Sequence, residues 1–79
     1  MKFSVTITLK KDVLDPQGKV VKQTLHSMGM SSLIELRQGK HFEIDIDEVD
    51  EKKGNELVKS MCEKLLANLI IEDYKIKKI

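Results

Sequence analysis

Hydrophobic and polar residues alternate with period two over residues 2–10. Phe3, Val5, Ile7 and Leu9 fall on one side, and Ser4, Thr6 and Thr8 on the other. Period two predicts a half-buried strand. Asp15-Pro16 then marks a sharp corner into a helix, with Asp15 as N-cap and Pro16 at the first helical position. Val21, Leu25 and Met28 follow at spacings of four and three, one helical stripe, and Gly29 is placed to end the helix in a left-handed cap. Leu33-Ile34-Glu35-Leu36-Arg37 reads as a second strand, and Gln38-Gly39-Lys40 as a turn in which glycine supplies positive φ. Phe42, Ile44 and Ile46 alternate with Glu43, Asp45 and Asp47, which predicts a third strand. Asp50 caps a second helix, with Glu51 in its first turn. Leu57, Val58, Met61, Leu65 and Leu66 form its buried face, Gly54 lowers its propensity, and Asn68 is placed to end it. From Glu72 to Ile79, Tyr74 and Ile76 alternate with lysines as a last strand.

The order β-α-β-β-α-β predicts an α+β fold, a ferredoxin-like sandwich with a four-stranded antiparallel sheet and two helices on one face. Right-handed crossovers place the first and third strands in its centre. A chain of 79 residues is a single domain, residues 1–79, and buries only roughly 60–65% of its unfolded surface. Only Phe3, Phe42 and Tyr74 are aromatic, so the core is thin and gains from burial against a partner.

Composition narrows the function. The formal charge is +1 with both signs mixed, which leaves no electrostatic footprint for nucleic acid or anionic lipid. The one lysine cluster, Lys75, Lys77 and Lys78, suits a protected strand edge or an anion contact. Cys62 is the only cysteine, so no intrachain disulfide forms. There is no signal segment or membrane-spanning run, which makes the cytoplasm the expected location.

The candidate chemistry is sparse. His41, Glu43, Asp45 and Asp47 should share the open sheet face with Ser4, Thr6 and Thr8. RNA recognition on such a face needs aromatic and basic residues, which are missing. His41, Glu43 and Asp45 lie in a straight line and do not converge on a metal ion. Residues 10–18 hold no cysteine pair for a metal chaperone, and Cys62 on the helical stripe reads as a packed thiol. Neither His26 nor His41 has a serine or cysteine partner for nucleophilic catalysis. Gly18 and Gly39 are isolated, so no phosphate-cradling loop exists. Arg37 and Lys40 flank Gly39, where they can grip a carboxylate or phosphate or form an ordinary charged turn. Asp73 and Tyr74 are similarly ambiguous, although tyrosine is enriched at interfaces. The residues point to a binding or assembly module, with no catalytic, cofactor-binding or metal-binding set.

Five pieces occur in order: Lys10; Val13-Leu14-Asp15-Pro16-Gln17-Gly18; Arg37-x-Gly39-Lys40; Met61-Cys62-Glu63-Lys64-Leu65-Leu66-Ala67-Asn68; and Ile71-Glu72-Asp73-Tyr74. In this order and spacing the chain closely resembles the small PurS-type subunit of phosphoribosylformylglycinamidine synthase. The resemblance implies a non-catalytic subunit of an ATP- and glutamine-dependent ligase in purine biosynthesis (EC 6.3.5.3). It implies two partners, a large synthetase subunit and a glutamine amidotransferase subunit. It also implies a homodimer, or a dimer of dimers, that bridges the partners and assists ammonia transfer. The chain itself should bind no cofactor, ATP and magnesium being used by the synthetase subunit. Candidate subunit-interface residues, drawn from the matching segments, are Asp15, Gln17, Arg37, Lys40, Asp73 and Tyr74. Two rivals of the same topology remain. One is a regulatory domain sensing a small metabolite. The other is an acyl-phosphate hydrolase, which needs an arginine after the first strand that residues 10–18 lack.

Overall fold

In the computed structural model, which describes residues 1–79, the elements are β1 (Lys2–Leu9), α1 (Pro16–Ser27), β2 (Gly39–Asp45), α2 (Glu51–Met61) and β3 (Glu72–Lys78). A π-helical turn, Cys62–Leu66, continues α2. The sheet has three antiparallel strands in the order β2-β1-β3. Two expectations are corrected. The sheet has three strands where four were expected, and β1 alone is central, with the Phe42 segment on one edge and the C-terminal strand on the other.

The missing strand is residues 33–37, which run without ladder pairing. A strand exists only when a neighbour takes its backbone hydrogen bonds. The expected hairpin turn at residues 38–40 is also absent. Gly39 has no positive φ and is already the first residue of β2, opposite Thr8. Its role is spatial: a Cβ there would press on the Ile7 carbonyl oxygen and on Thr8 Cγ2. Gly29, at φ +94°, is the one residue in the left-handed region, and it follows α1 as expected.

The core lies between the sheet and α2. Phe3, Val5, Ile7, Val58 and Cys62 are fully buried, and Phe42, Ile44, Ile46, Tyr74 and Ile76 pack around them. Cross-strand pairs Phe3–Ile44, Val5–Phe42 and Val5–Ile76 set the register that brings these side chains to one face. The other face carries Ser4, Thr6 and Thr8 between Glu43 and His41 on β2 and Lys75, Lys77 and Asp73 on β3, as the alternation predicts.

Asp50 caps α2, its carboxylate accepting from the Lys52 and Lys53 amides. The buried face of α2 differs from the expected one. Gly54, Val58 and Cys62 are buried, whereas Leu57 and Leu65 are 47% and 84% exposed. The π-helical turn shifts the helical phase after Met61, so Leu65 rotates off the stripe. Asn68 does not end the helix in a left-handed cap; the chain leaves through extended Ala67. The Asn68 carbonyl instead accepts from the Ile71 and Glu72 amides in the turn before β3.

Helix α1 does not cover the sheet. With the returning segment 28–37 it forms an arm, tied at its far end by a 2.7 Å contact between His26 Nε2 and the Leu33 carbonyl. Val20, Met28, Met30 and Ile34 on this arm are all at least half exposed. The molecule therefore extends 49 × 25 × 14 Å, with a radius of gyration of 16.0 Å. A compact chain of this length has a radius of about 12 Å.

Candidate functional site

The two connections between sheet and arm meet at the end of the sheet where β1 stops, and there most of the candidate residues gather. Asp15 caps α1: its Oδ1 accepts from the Gly18 amide at 2.9 Å. Its second oxygen accepts from the Gln38 amide at 2.7 Å, where the returning segment of the arm reaches β2. One carboxylate thus joins both connections, and it is only 8% exposed. The Gln38 and Gly18 amides, with the Arg37 guanidinium nearby, outweigh burial and hold the Asp15 carboxyl below its ordinary range.

Arg37 supports the same junction from the other side. Its guanidinium donates to the carbonyls of Val13 at 2.9 Å, Lys10 at 3.1 Å and Lys11 at 3.4 Å. These carbonyls lie where the chain turns out of β1 and lose their ladder partners, so a planar multi-donor group suits them. Gln17 completes the tie, its Oε1 accepting from Gln38 Nε2 at 2.9 Å.

Lys40 lies beside this junction, with Asp15, Gln17 and Gln38 around a cavity of about 180 Å³. Its Nζ is 3.6 Å from Glu72 Oε2, a link across the central strand from β2 to β3. Glu72 also accepts from the Asn68 amide at 2.7 Å. Asp73 faces the open side of the sheet, where its Oδ1 lies 3.2 Å from Lys10 Nζ. Tyr74 faces α2, and its hydroxyl donates to Glu63 Oε1 at 3.2 Å. Burial, then the Glu63 carboxylate, pushes the Tyr74 hydroxyl up. Burial likewise pushes up the thiol of Cys62, which is a packed core residue, as expected.

Asp15, Gln17, Arg37 and Lys40 therefore belong to one junction, while Asp73 and Tyr74 sit on opposite faces of β3. A shallow cleft of about 790 Å³ runs past these last two, lined by Thr6, Thr8, Lys10, Lys11 and Lys75. Sequence reasoning missed Gln38, which supplies an amide to Asp15 and a side chain to Gln17. The only available signal was its position between Arg37 and Gly39. It also missed Glu72 and Glu63, the partners of Lys40 and Tyr74. No three His, Cys, Asp or Glu side chains come together as a metal-binding group. No helix is long and apolar enough to cross a membrane. The site is a structural junction between a folded body and an exposed apolar arm.

Known proteins share this fold. The chain is 49% identical to the phosphoribosylformylglycinamidine synthase subunit PurS of Bacillus subtilis over 74 residues, 94% of this chain and 87% of that one. The crystal structure of Methanocaldococcus jannaschii PurS matches with a TM-score of 0.87 at 42% identity, covering 96% of this chain and 92% of that one. A chain of the Thermotoga maritima PurLQS structure matches with a TM-score of 0.91 at 28% identity, covering 99% and 95%. Residues 2–79 match the family described as PurS, phosphoribosylformylglycinamidine (FGAM) synthase. From the matched length and these identities, the chain belongs to the PurS family, the small subunit of FGAM synthase.

Proposed function

We propose that this chain is a non-catalytic adaptor in an FGAM synthase of the PurLQS type, joining a large synthetase subunit to a glutamine amidotransferase subunit in purine biosynthesis. The Thermotoga relative occurs in such a complex, and the Methanocaldococcus relative is described as one of the subunits of formylglycinamide ribonucleotide amidotransferase in the purine biosynthetic pathway. In this reading ATP and magnesium are handled by the synthetase subunit. The adaptor keeps the two active sites in register, so that ammonia passes between them without being protonated by bulk water.

The observation that carries the adaptor role is the exposed apolar arm. Five large hydrophobic residues of the arm, Val20, Val21, Met28, Met30 and Ile34, are exposed, against six hydrophobic residues in the buried core of the whole chain. The accessible surface is 6083 Å², where a compact 9.1 kDa protein shows about 4,900 Å². The excess is of the size that a stable interface removes, roughly 800 Å² per partner. We assign the arm first to a second copy of this chain, giving a homodimer whose outer surfaces meet the two larger subunits.

Reconstitution tests this reading. With synthetase and amidotransferase present, adding the chain should raise glutamine-dependent product formation strongly and ammonium-dependent formation little. Equal stimulation with both nitrogen donors would remove the ammonia-transfer role. Light scattering on the isolated chain should give a dimer at micromolar concentration, and a monomer there would overturn the homodimer.

A further inference from the structure

Asp15, Arg37 and the Gln17–Gln38 pair do more than cap a helix. The connection from β1 to α1 spans residues 10–15, and the return to β2 arrives through residues 36–38. Every polar contact described above at this point ties one connection to the other or to the start of α1. The Asp15 carboxylate binds amides on both sides, at Gly18 and Gln38. Arg37, from the return, binds three carbonyls of the outgoing chain. The two connections cannot shear past one another without breaking these bonds, and the outgoing one is itself anchored on the β3 side of the sheet by Lys10, whose amide donates to the Ile71 carbonyl at 2.9 Å and whose Nζ lies 3.2 Å from Asp73 Oδ1.

The arm has two possible resting places. In a ferredoxin-like sandwich α1 lies on its own sheet beside α2, over the strand that carries Phe42, Ile44 and Ile46. Those three side chains are only half-buried here, so that position is open. The alternative is the extended arm observed, whose apolar residues are left for another surface. Which state wins depends on the hinge, since exchange of an element between protomers is governed by the connection that carries it.

We propose that the Asp15–Arg37–Gln38 clamp is a positioning device that fixes the arm in its extended direction and so commits it to a second copy of the chain rather than to its own sheet. This rests on the homodimer reading for its occupant, but the locked arm is a property of the single protomer. Arg37 and Asp15 are thus positioning residues for assembly, acting through the hinge.

Two mild variants test it. Arg37→Lys replaces a planar fork with a single ammonium that cannot serve three carbonyls at once. Asp15→Asn keeps one acceptor but presents an amide NH2 where the second oxygen stood, so the Gly18 and Gln38 bonds cannot both persist. Spin labels on cysteines placed at the exposed positions Ser27 and Lys77 report arm-to-sheet distance, with Cys62 buried and unlabelled. Labelled chains are diluted into unlabelled ones so that only distances within one protomer are read. The unaltered hinge should give one narrow, long distance. Both variants should give a broad or shorter distribution, and their dimers should dissociate about tenfold more readily, the equivalent of one or two lost hydrogen bonds. A narrow, unchanged distance in folded Arg37→Lys protein would overturn the clamp, whatever happens to Asp15→Asn. A wild-type chain that is monomeric, with the distance shift in the variants intact, would overturn the homodimer and leave the clamp standing.

Discussion

The body and the arm of this protein are built from similar residues and differ in what covers them. In the body, β1 supplies Phe3, Val5 and Ile7, and all three are fully buried. In the arm, α1 supplies Val20, Val21 and Leu25, of which Val20 is 59% and Val21 39% exposed. Equal hydrophobicity therefore has unequal energetic meaning. In the body it stabilises the protomer, whereas in the arm it stays in contact with solvent. The contrast also separates two kinds of polar contact. The open sheet face carries solvated charges, while the arm junction carries a carboxylate and a guanidinium bound to backbone.

Truncations should expose this contrast most strongly. Phe3→Ala removes a fully buried ring and should cost about 3–5 kcal/mol, enough to unfold much of a domain this small. Val20→Ala should leave protomer unfolding in denaturant within about 0.5 kcal/mol and instead lower the concentration dependence of melting. Equal losses of protomer stability from both would erase the distinction between body and arm.

Gly54→Ala is the next test. Helix propensity alone favours alanine by about 1 kcal/mol. A Cβ at Gly54, however, would sit 2.7 Å from Met1 Sδ, 3.2 Å from Phe3 Cε2 and 3.3 Å from Ile46 Cδ1. The substitution should therefore destabilise by about 1–3 kcal/mol, read by chemical denaturation. A gain in stability would show that α2 can lift away from the sheet.

The junction should respond to acid. The carboxyl of Asp15 is held below its ordinary range in the folded protein, so the folded state binds this proton less readily than the unfolded chain. Its stabilisation is complete above the unfolded value, about pH 4, and is lost as pH falls through the lower folded value. Wild type should melt several degrees above Asp15→Asn at pH 7, and the gap should close below about pH 4. A gap that is constant with pH would show that charge plays no part in the clamp.

Tyr74 should give the smallest signal. Burial and the Glu63 carboxylate raise its hydroxyl, so the folded protein loses stability as pH rises past the ordinary tyrosine value of about 10. Phenolate absorbance should appear above that pH in wild type and at lower pH in Glu63→Gln. An unmoved titration curve would reduce the Tyr74–Glu63 contact to a passing one.

Legibility in the sequence followed the same division. Strand β1 was readable because its alternation meets its partners on both sides, and each apolar residue of the run finds a place. The caps at Asp15 and Asp50 were readable because N-capping is a local act of one side chain on nearby amides. Residues 33–37 have the composition of a strand, yet a strand also needs a free edge beside it, which composition cannot report. The stripe Val21-Leu25-Met28 identified a helix but not its cover. Leu65 was misplaced because one π-helical turn changes the phase of all that follows. At the junction, Asp15 and Arg37 were visible as charged corner residues. Their shared partner Gln38 acts mainly through its amide, which every non-proline residue possesses.

The strand order has a consequence for how the chain is made. β1 is synthesised before either of its sheet neighbours, β2 and β3, which follow it only after long stretches of chain. Phe3 pairs with Ile44 on one side and Lys78 on the other. The ladder bonds of β1 to β2 must wait for residues 39–45, and those to β3 for residues 72–78. The arm, by contrast, is built from neighbours in sequence and can fold early. Assembly thus begins with a nascent protein whose arm is ready before its body. An apolar strand waits unpaired over most of that time, the condition in which chains stick to wrong partners. The lysines along β3 join that sheet after β1 and β2, placing charge on the edge that is completed last.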